Sequence, residues 1–208
     1  MKSGYEFAAL LVAIIALGGA RQAEAQMAHL TLQSEPGEFI GLGQNYNLIY
    51  TPSNSSLSAV VMRTLPSGEA SELLFVLSGD QTIPFSRLFF STDALGIPIQ
   101  PGVFLDAQRF AQPGHPGLDV SLVNRGCNTL FGNFTISQVS FGPDNSIQSF
   151  AASFEQHCEG QIPALFGTFT YNAVPEPSTL SLFACVAVVA ILAWHKPQRG
   201  TAATEGLG

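Results

Sequence analysis

Residues 131–157, FGNFTISQVSFGPDNSIQSFAASFEQH, decide the fold of this chain. Two runs rich in Phe, Ile, Val, Thr and Ser flank Phe141-Gly142-Pro143-Asp144-Asn145-Ser146-Ile147, whose central residues are those that turns demand. The reading is a β-hairpin. If Phe141 faces Ile147, then Phe134 faces Phe154 and Ile136 faces Ala152, with Phe150 on the same side. One face of the hairpin is then apolar and looks into a core.

The same signature extends in both directions from the hairpin. Strand patterns cover residues 29–33, 47–50, 58–63, 72–77, 87–90, 103–110, 118–122, 131–141, 147–157 and 164–171. Turn clusters such as Ser34-Glu35-Pro36-Gly37 and Gln112-Pro113-Gly114-His115-Pro116-Gly117 separate them, too closely spaced for helices of three turns. Short strands at near-regular spacing predict an all-β domain, an antiparallel β-sandwich or jelly roll, over residues 26–173.

Composition narrows the function. The 208 residues are only 11% charged and 46% hydrophobic, with a net charge of −7. Between residues 26 and 173 there is no lysine, and Arg63, Arg87, Arg109 and Arg125 stand against eleven acids. No basic patch is available for phosphates, so nucleic acid is excluded as a partner and polyanions are disfavoured. Neutral glycans and cations remain. With 16 Phe, 4 Tyr and 1 Trp the chain has ample material for a core.

The two ends read as targeting segments. Lys2 precedes an uncharged apolar run at residues 7–20, and Ala23-Glu24-Ala25 supplies small-x-small, so residues 1–25 are expected to be a secretory signal peptide. Near the other end, residues 180–194 are uncharged and apolar, ending in Trp194 with Lys196 and Arg199 behind it. A transmembrane helix is expected over residues 179–194, with the domain outside and a short cytoplasmic tail at residues 200–208. Just before it stands Pro175-Glu176-Pro177, within Val174-Pro175-Glu176-Pro177-Ser178-Thr179-Leu180. This order of Pro-Glu-Pro, short apolar helix and basic residues, spanning residues 174–199, resembles the PEP-CTERM sorting signal of Gram-negative bacteria. The resemblance implies recognition by an exosortase, release from the inner membrane to the cell surface or matrix, and association with exopolysaccharide or biofilm. The basic cluster is sparser than in that signal, and the tail behind it is longer.

Export bears on the cysteines. Cys185 lies in the apolar run, whereas Cys127 and Cys158 lie in the exported part, where a disulfide is favoured. The hairpin register puts Cys158 opposite Leu130, three positions from Cys127, and Gly126 and Asn128 let the chain curl back. The segments at residues 124–128, 154–160 and 163–167 are also similar to a stretch of exported bacterial proteins that carries no assigned activity. That likeness implies a disulfide-linked β-domain.

Candidate sites are few. Glu155, His157 and Glu159 alternate along one strand and share its outer face, so they could ligate a divalent metal; a solvated polar face has the same pattern. Among His29, His115 and His157 none accompanies a Gly-x-Ser-x-Gly elbow. Gly41-Leu42-Gly43 lacks the third glycine and helix of a dinucleotide loop, and suits a tight bend. Asp144-Asn145 lacks the acidic string of a calcium loop, and turn chemistry explains it. Tyr46, Tyr50 and Tyr171 could offer faces to sugar rings. No motif calls for a cofactor. The expectation is a non-catalytic exported envelope or matrix protein; the alternative is a secreted hydrolase of matrix polysaccharide.

Overall fold

Alternation of period two runs through each segment between the turn clusters, and in the computed structural model each becomes a strand. The structure describes residues 26–80, 83–110 and 112–173. In chain order the strands are β1 (Ala28–Ser34), β2 (Asn45–Tyr50), β3 (Ser55–Thr64), β4 (Ala70–Gly79) and β5 (Ser86–Ser91), then β6 (Gly102–Gln108), β7 (Gly117–Leu122), β8 (Leu130–Phe141), β9 (Ile147–Cys158) and β10 (Ala164–Tyr171). A single 3₁₀ turn at Asp93–Leu95 is the only helical element among the described residues. None of their helices is long and apolar enough to cross a membrane. The expected signal peptide, Pro175-Glu176-Pro177 and the expected membrane helix lie outside the described residues.

Hydrogen bonding runs unbroken through the order β2-β1-β10-β9-β8-β6-β7-β5-β4-β3, a mixed sheet nearly closed into a barrel. The all-β class is as the sequence implies. The expected division into the two sheets of a sandwich or jelly roll does not appear in the ladder. The reason is local: β6 and β7 meet in one parallel pair, Gln108 with Gly117, and that pair stitches the two halves into one sheet. Every other pairing is antiparallel.

The β8–β9 hairpin takes the register read from its turn. Phe141 pairs Ile147, Phe134 pairs Phe154, Ile136 pairs Ala152, and Leu130 pairs Cys158. Two bulges interrupt it, one after Ile136 and one after Ser140. The first inserts Ser137 and flips the parity, so that Val139 and Phe141 now pack against the core that Phe134 and Ile136 faced one turn earlier. Cys127 and Cys158 are bonded, sulfur to sulfur at 2.07 Å. Closing a loop of 31 residues removes unfolded-state freedom worth about 3–4 kcal/mol in the chain-entropy model.

The core is aromatic and spans the interior between strands that are not ladder neighbours. Phe75 of β4 touches Phe150 of β9 and Phe169 of β10, with ring centroids 5.0 and 4.8 Å apart. Phe90 of β5 meets Phe134 of β8 and Phe150 at 5.4 and 5.0 Å. Gly167 pairs Phe154, and a Cβ there would stand 2.2 Å from the Phe154 ring, so the ring occupies the space that a side chain would need.

One polar side chain belongs to this interior. Gln156 is fully buried. Its Oε1 accepts from the Val120 N–H at 2.9 Å, and its Nε2 donates to the Val120 carbonyl at 2.9 Å and lies 3.4 Å from Cys127 Sγ. Past Gly117, β7 has no ladder partner on its β6 side, and the glutamine amide supplies the two bonds that a strand would have made. Gln156→Ala orphans two buried backbone groups, at about 1–3 kcal/mol each. Urea denaturation should show a loss of about 2–6 kcal/mol; a loss below about 1 kcal/mol would show that water replaces the amide.

Candidate functional site

The sheet order sets β1, from the start of the domain, beside the three consecutive strands β8, β9 and β10 at its end, and their outward faces line an open groove of about 520 Å³. Pairing fixes its rows. Asn133 faces Glu155, Glu155 faces Phe166, and Phe166 faces Gln33. In the next row Thr135 faces Ser153, Ser153 faces Thr168, and Thr168 faces Thr31. The groove thus offers hydroxyl and amide groups around one exposed ring, Phe166 at 38%, over the buried rings of Phe134 and Phe154. The Thr31 and Thr168 hydroxyls bond each other at 2.6 Å, and the Asn133 side-chain Oδ1 accepts from the Asp106 N–H at 3.0 Å.

Glu155 is the one ionisable group lining this groove among the described residues, and His157 holds it. His157 Nε2 lies 2.9 Å from Glu155 Oε1, and Nδ1 lies 2.8 Å from the Ile162 carbonyl oxygen. Both contacts are hydrogen bonds at once only when the ring carries two protons. Phe131 stacks on the imidazole, with centroids 4.4 Å apart and planes 3° from parallel. Of this trio only Glu155 lines the groove.

Glu159 does not join them. It falls one residue past β9, in a turn with φ of 55°, and its carboxylate accepts from the Asn128 N–H at 2.5 Å and the Thr129 hydroxyl at 3.2 Å. Those bonds, the Asn128 N–H foremost, hold its carboxyl below the usual range. Among the described residues no three His, Cys, Asp or Glu side chains are grouped to hold a metal ion. The alternation that suggested a ligand set ends where the strand ends.

Other sequence candidates serve the fold. Tyr50 and Tyr171 are buried rather than presented to sugars; the Tyr50 hydroxyl donates within the core to Pro84 O or Ser86 Oγ, both at 2.8 Å, and burial raises its pKa. Tyr46 is half-buried and also lies outside the groove. Gly41-Leu42-Gly43 sits in the β1–β2 bend, where buried Glu38 accepts from the Ile40 and Gly41 N–H groups at 2.7 and 2.6 Å. Asp144 bonds the Ser146 N–H and hydroxyl in the hairpin turn. His115 lies 3.1 Å from Asp106, and His29 pairs Asn47 on the outer face of β1 and β2.

A second cluster escaped sequence reasoning. Asp119 lies on β7 between the core positions Leu118 and Val120 and is nevertheless 3% exposed, beneath Arg87 and Arg109 at 3.8 and 3.9 Å. Phe89 and Phe110 meet edge to face beside it, and the Arg109 guanidinium lies 4.9 Å over Phe110. The available signal was an acid in the middle of the apolar strand Gly117–Leu122.

No protein-family model matches the chain, and no curated protein or solved structure matches it.

Desolvation raises the Asp119 carboxyl above its ordinary pKa, and Arg109 and Arg87 pull it only part of the way back. The native state therefore keeps this proton to higher pH than the unfolded chain does. Stability tied to the protonated form is lost as pH rises from the ordinary Asp range through the raised native value. Asp119→Asn should flatten that limb: between about pH 3 and 7, its denaturation midpoint should rise relative to the unsubstituted protein. Parallel profiles would contradict the buried carboxyl.

Proposed function

We propose that this is a non-catalytic, exported envelope or matrix protein whose domain seats an uncharged polysaccharide strand in the groove across β8, β9, β10 and β1. The observation that carries this is the groove's chemistry: hydroxyls and amides from Thr31, Gln33, Asn133, Thr135, Ser153 and Thr168 set around Phe166. Sugar hydroxyls need such paired donors and acceptors, and the apolar face of a pyranose needs a ring to lie on. Glycosidic hydrolysis uses two carboxylates facing one bond. The groove lines up Glu155 alone, already engaged by His157, which favours binding over cleavage.

The targeting segments complete the reading. Residues 1–25 act as a signal peptide, residues 179–194 anchor the chain in the inner membrane, and an exosortase-type enzyme recognises Pro175-Glu176-Pro177 and frees the domain toward the surface. Proline disfavours helix at its own position and at the one before it, which would suit this stretch to attack by a membrane-embedded transpeptidase.

Affinity electrophoresis in gels containing neutral polysaccharides tests the binding. Phe166→Ala should weaken retardation by about tenfold, on the order of 1.4 kcal/mol. Retardation unchanged by this substitution would remove the groove from the binding surface. Mass spectrometry of the surface fraction from a host that possesses the enzyme tests the sorting: chains ending near Pro177 are expected, and recovery of only chains that retain residues 200–208 would refute processing.

A further inference from the structure

The two ends of the sheet are unlike the rest of it. β2 and β3 are joined by the turn at residues 51–54 but form no ladder with each other, so β3 keeps one edge of ten residues unpaired. Exposed edges of this length template the addition of a further strand, and proteins ordinarily blunt them with lysine, proline, a bulge or a short run; the irregularities of β3 fall only at its far end, at Met62 and beyond, and leave residues 55–61 in regular register. β3 contains neither lysine nor proline. Its inward residues Leu57, Ala59 and Val61 pack on the core yet are only half-buried, and its outward Val60 and Met62 are 43% and 55% exposed.

We infer that β3 pairs antiparallel with β3 of a second copy of this chain, about a two-fold axis at Ala59. Charge and shape favour that occupant. The domain is strongly acidic, so two copies repel over most of their surface. β3 carries no acid, and its one charge, Arg63, is held by Glu72 and Asp93 at 3.3 and 3.5 Å. This edge is therefore a neutral line of approach. The strand is also complementary to itself. Its first half is small on the outer face, Ser56 and Ser58, and its second half is large, Val60 and Met62. Antiparallel pairing about Ala59 sets Ser58 against Val60 on the outer face and Leu57 against Val61 on the inner one, and brings Ser56 beside Met62, which the β3–β4 register skips. On the outer face each large side chain then lies beside a small one, and the half-buried inner residues are covered.

Thiol cross-linking of the full chain in detergent solution, in a Cys185→Ser background, tests both the partner and the register. Ser56→Cys and Met62→Cys chains, mixed and treated with a short bifunctional maleimide, should give a covalent dimer. Neither variant alone should link to itself, because the antiparallel register holds two copies of position 56 roughly 20 Å apart. Sedimentation of the Val60→Lys/Met62→Lys chain, whose substitutions lie on the exposed face and leave the core intact, should show self-association weakened by about 100-fold. The proposal is overturned if the mixture does not link, if each variant links to itself as readily, if position 56 links instead to another protein or to another part of its own chain, or if the lysine variant associates as before.

Discussion

A strand that loses its neighbour after its first residue must find other partners for its backbone, and β7 is in that position. It touches β6 at a single pair and then departs, leaving Val120 inside the core with an N–H and a carbonyl to satisfy. Gln156 reaches from β9 and makes both bonds. Because that amide can be spent in the core, the sheet is able to turn the corner between β6 and β7. The aromatic contacts that fill the interior, Phe75 and Phe90 against Phe134, Phe150 and Phe169, depend on the turn having been made. The disulfide lies beside the same amide, with Cys127 Sγ against Gln156 Nε2, and pins the start of β8 to the end of β9.

The electrostatics of the outer surface follow from how the four arginines of the domain are placed. Arg63 serves Glu72 and Asp93, Arg87 and Arg109 lie against Asp119, and Arg125 donates to the Ile40 carbonyl at 2.7 Å. Each faces a partner within the protein, and the acids outnumber them. The groove is different from its surroundings because its rows are hydroxyls and amides, and because its one carboxylate is tied to His157. A groove with a single, engaged carboxylate in an acidic domain offers hydrogen-bonding groups and a ring face more than charge.

Sequence reasoning was strongest where structure is local. The turn at residues 142–146 set the hairpin register, and Leu130 opposite Cys158 followed from it, bringing Cys127 within reach. It was weaker where parity changes, since nothing in Ser137 marks it as the inserted residue of a bulge. It failed at Gln156, which alternation places inward among Phe154 and Cys158 but which offers no hint of what its amide meets. The tyrosines failed for a related reason: a ring on a strand is equally at home in a core or on a surface, and here Tyr50 and Tyr171 went inside while Phe166 stayed out.

By itself the sequence determined the ten strands, the hairpin and its disulfide, because period-two alternation, turn residues and loop closure act over short spans of chain. Only the tertiary structure decided which strand edges meet. β1 lies beside β10 although residues 28 and 171 pair across nearly the whole domain, and β6 meets β7 in parallel. The groove is completed by that order: Thr31 of β1 joins Asn133, Ser153 and Phe166 of the consecutive strands β8, β9 and β10 only because β1 lies beside β10. No local pattern encodes such a surface, since each strand alone shows an ordinary polar face, and the chemistry arises from their juxtaposition.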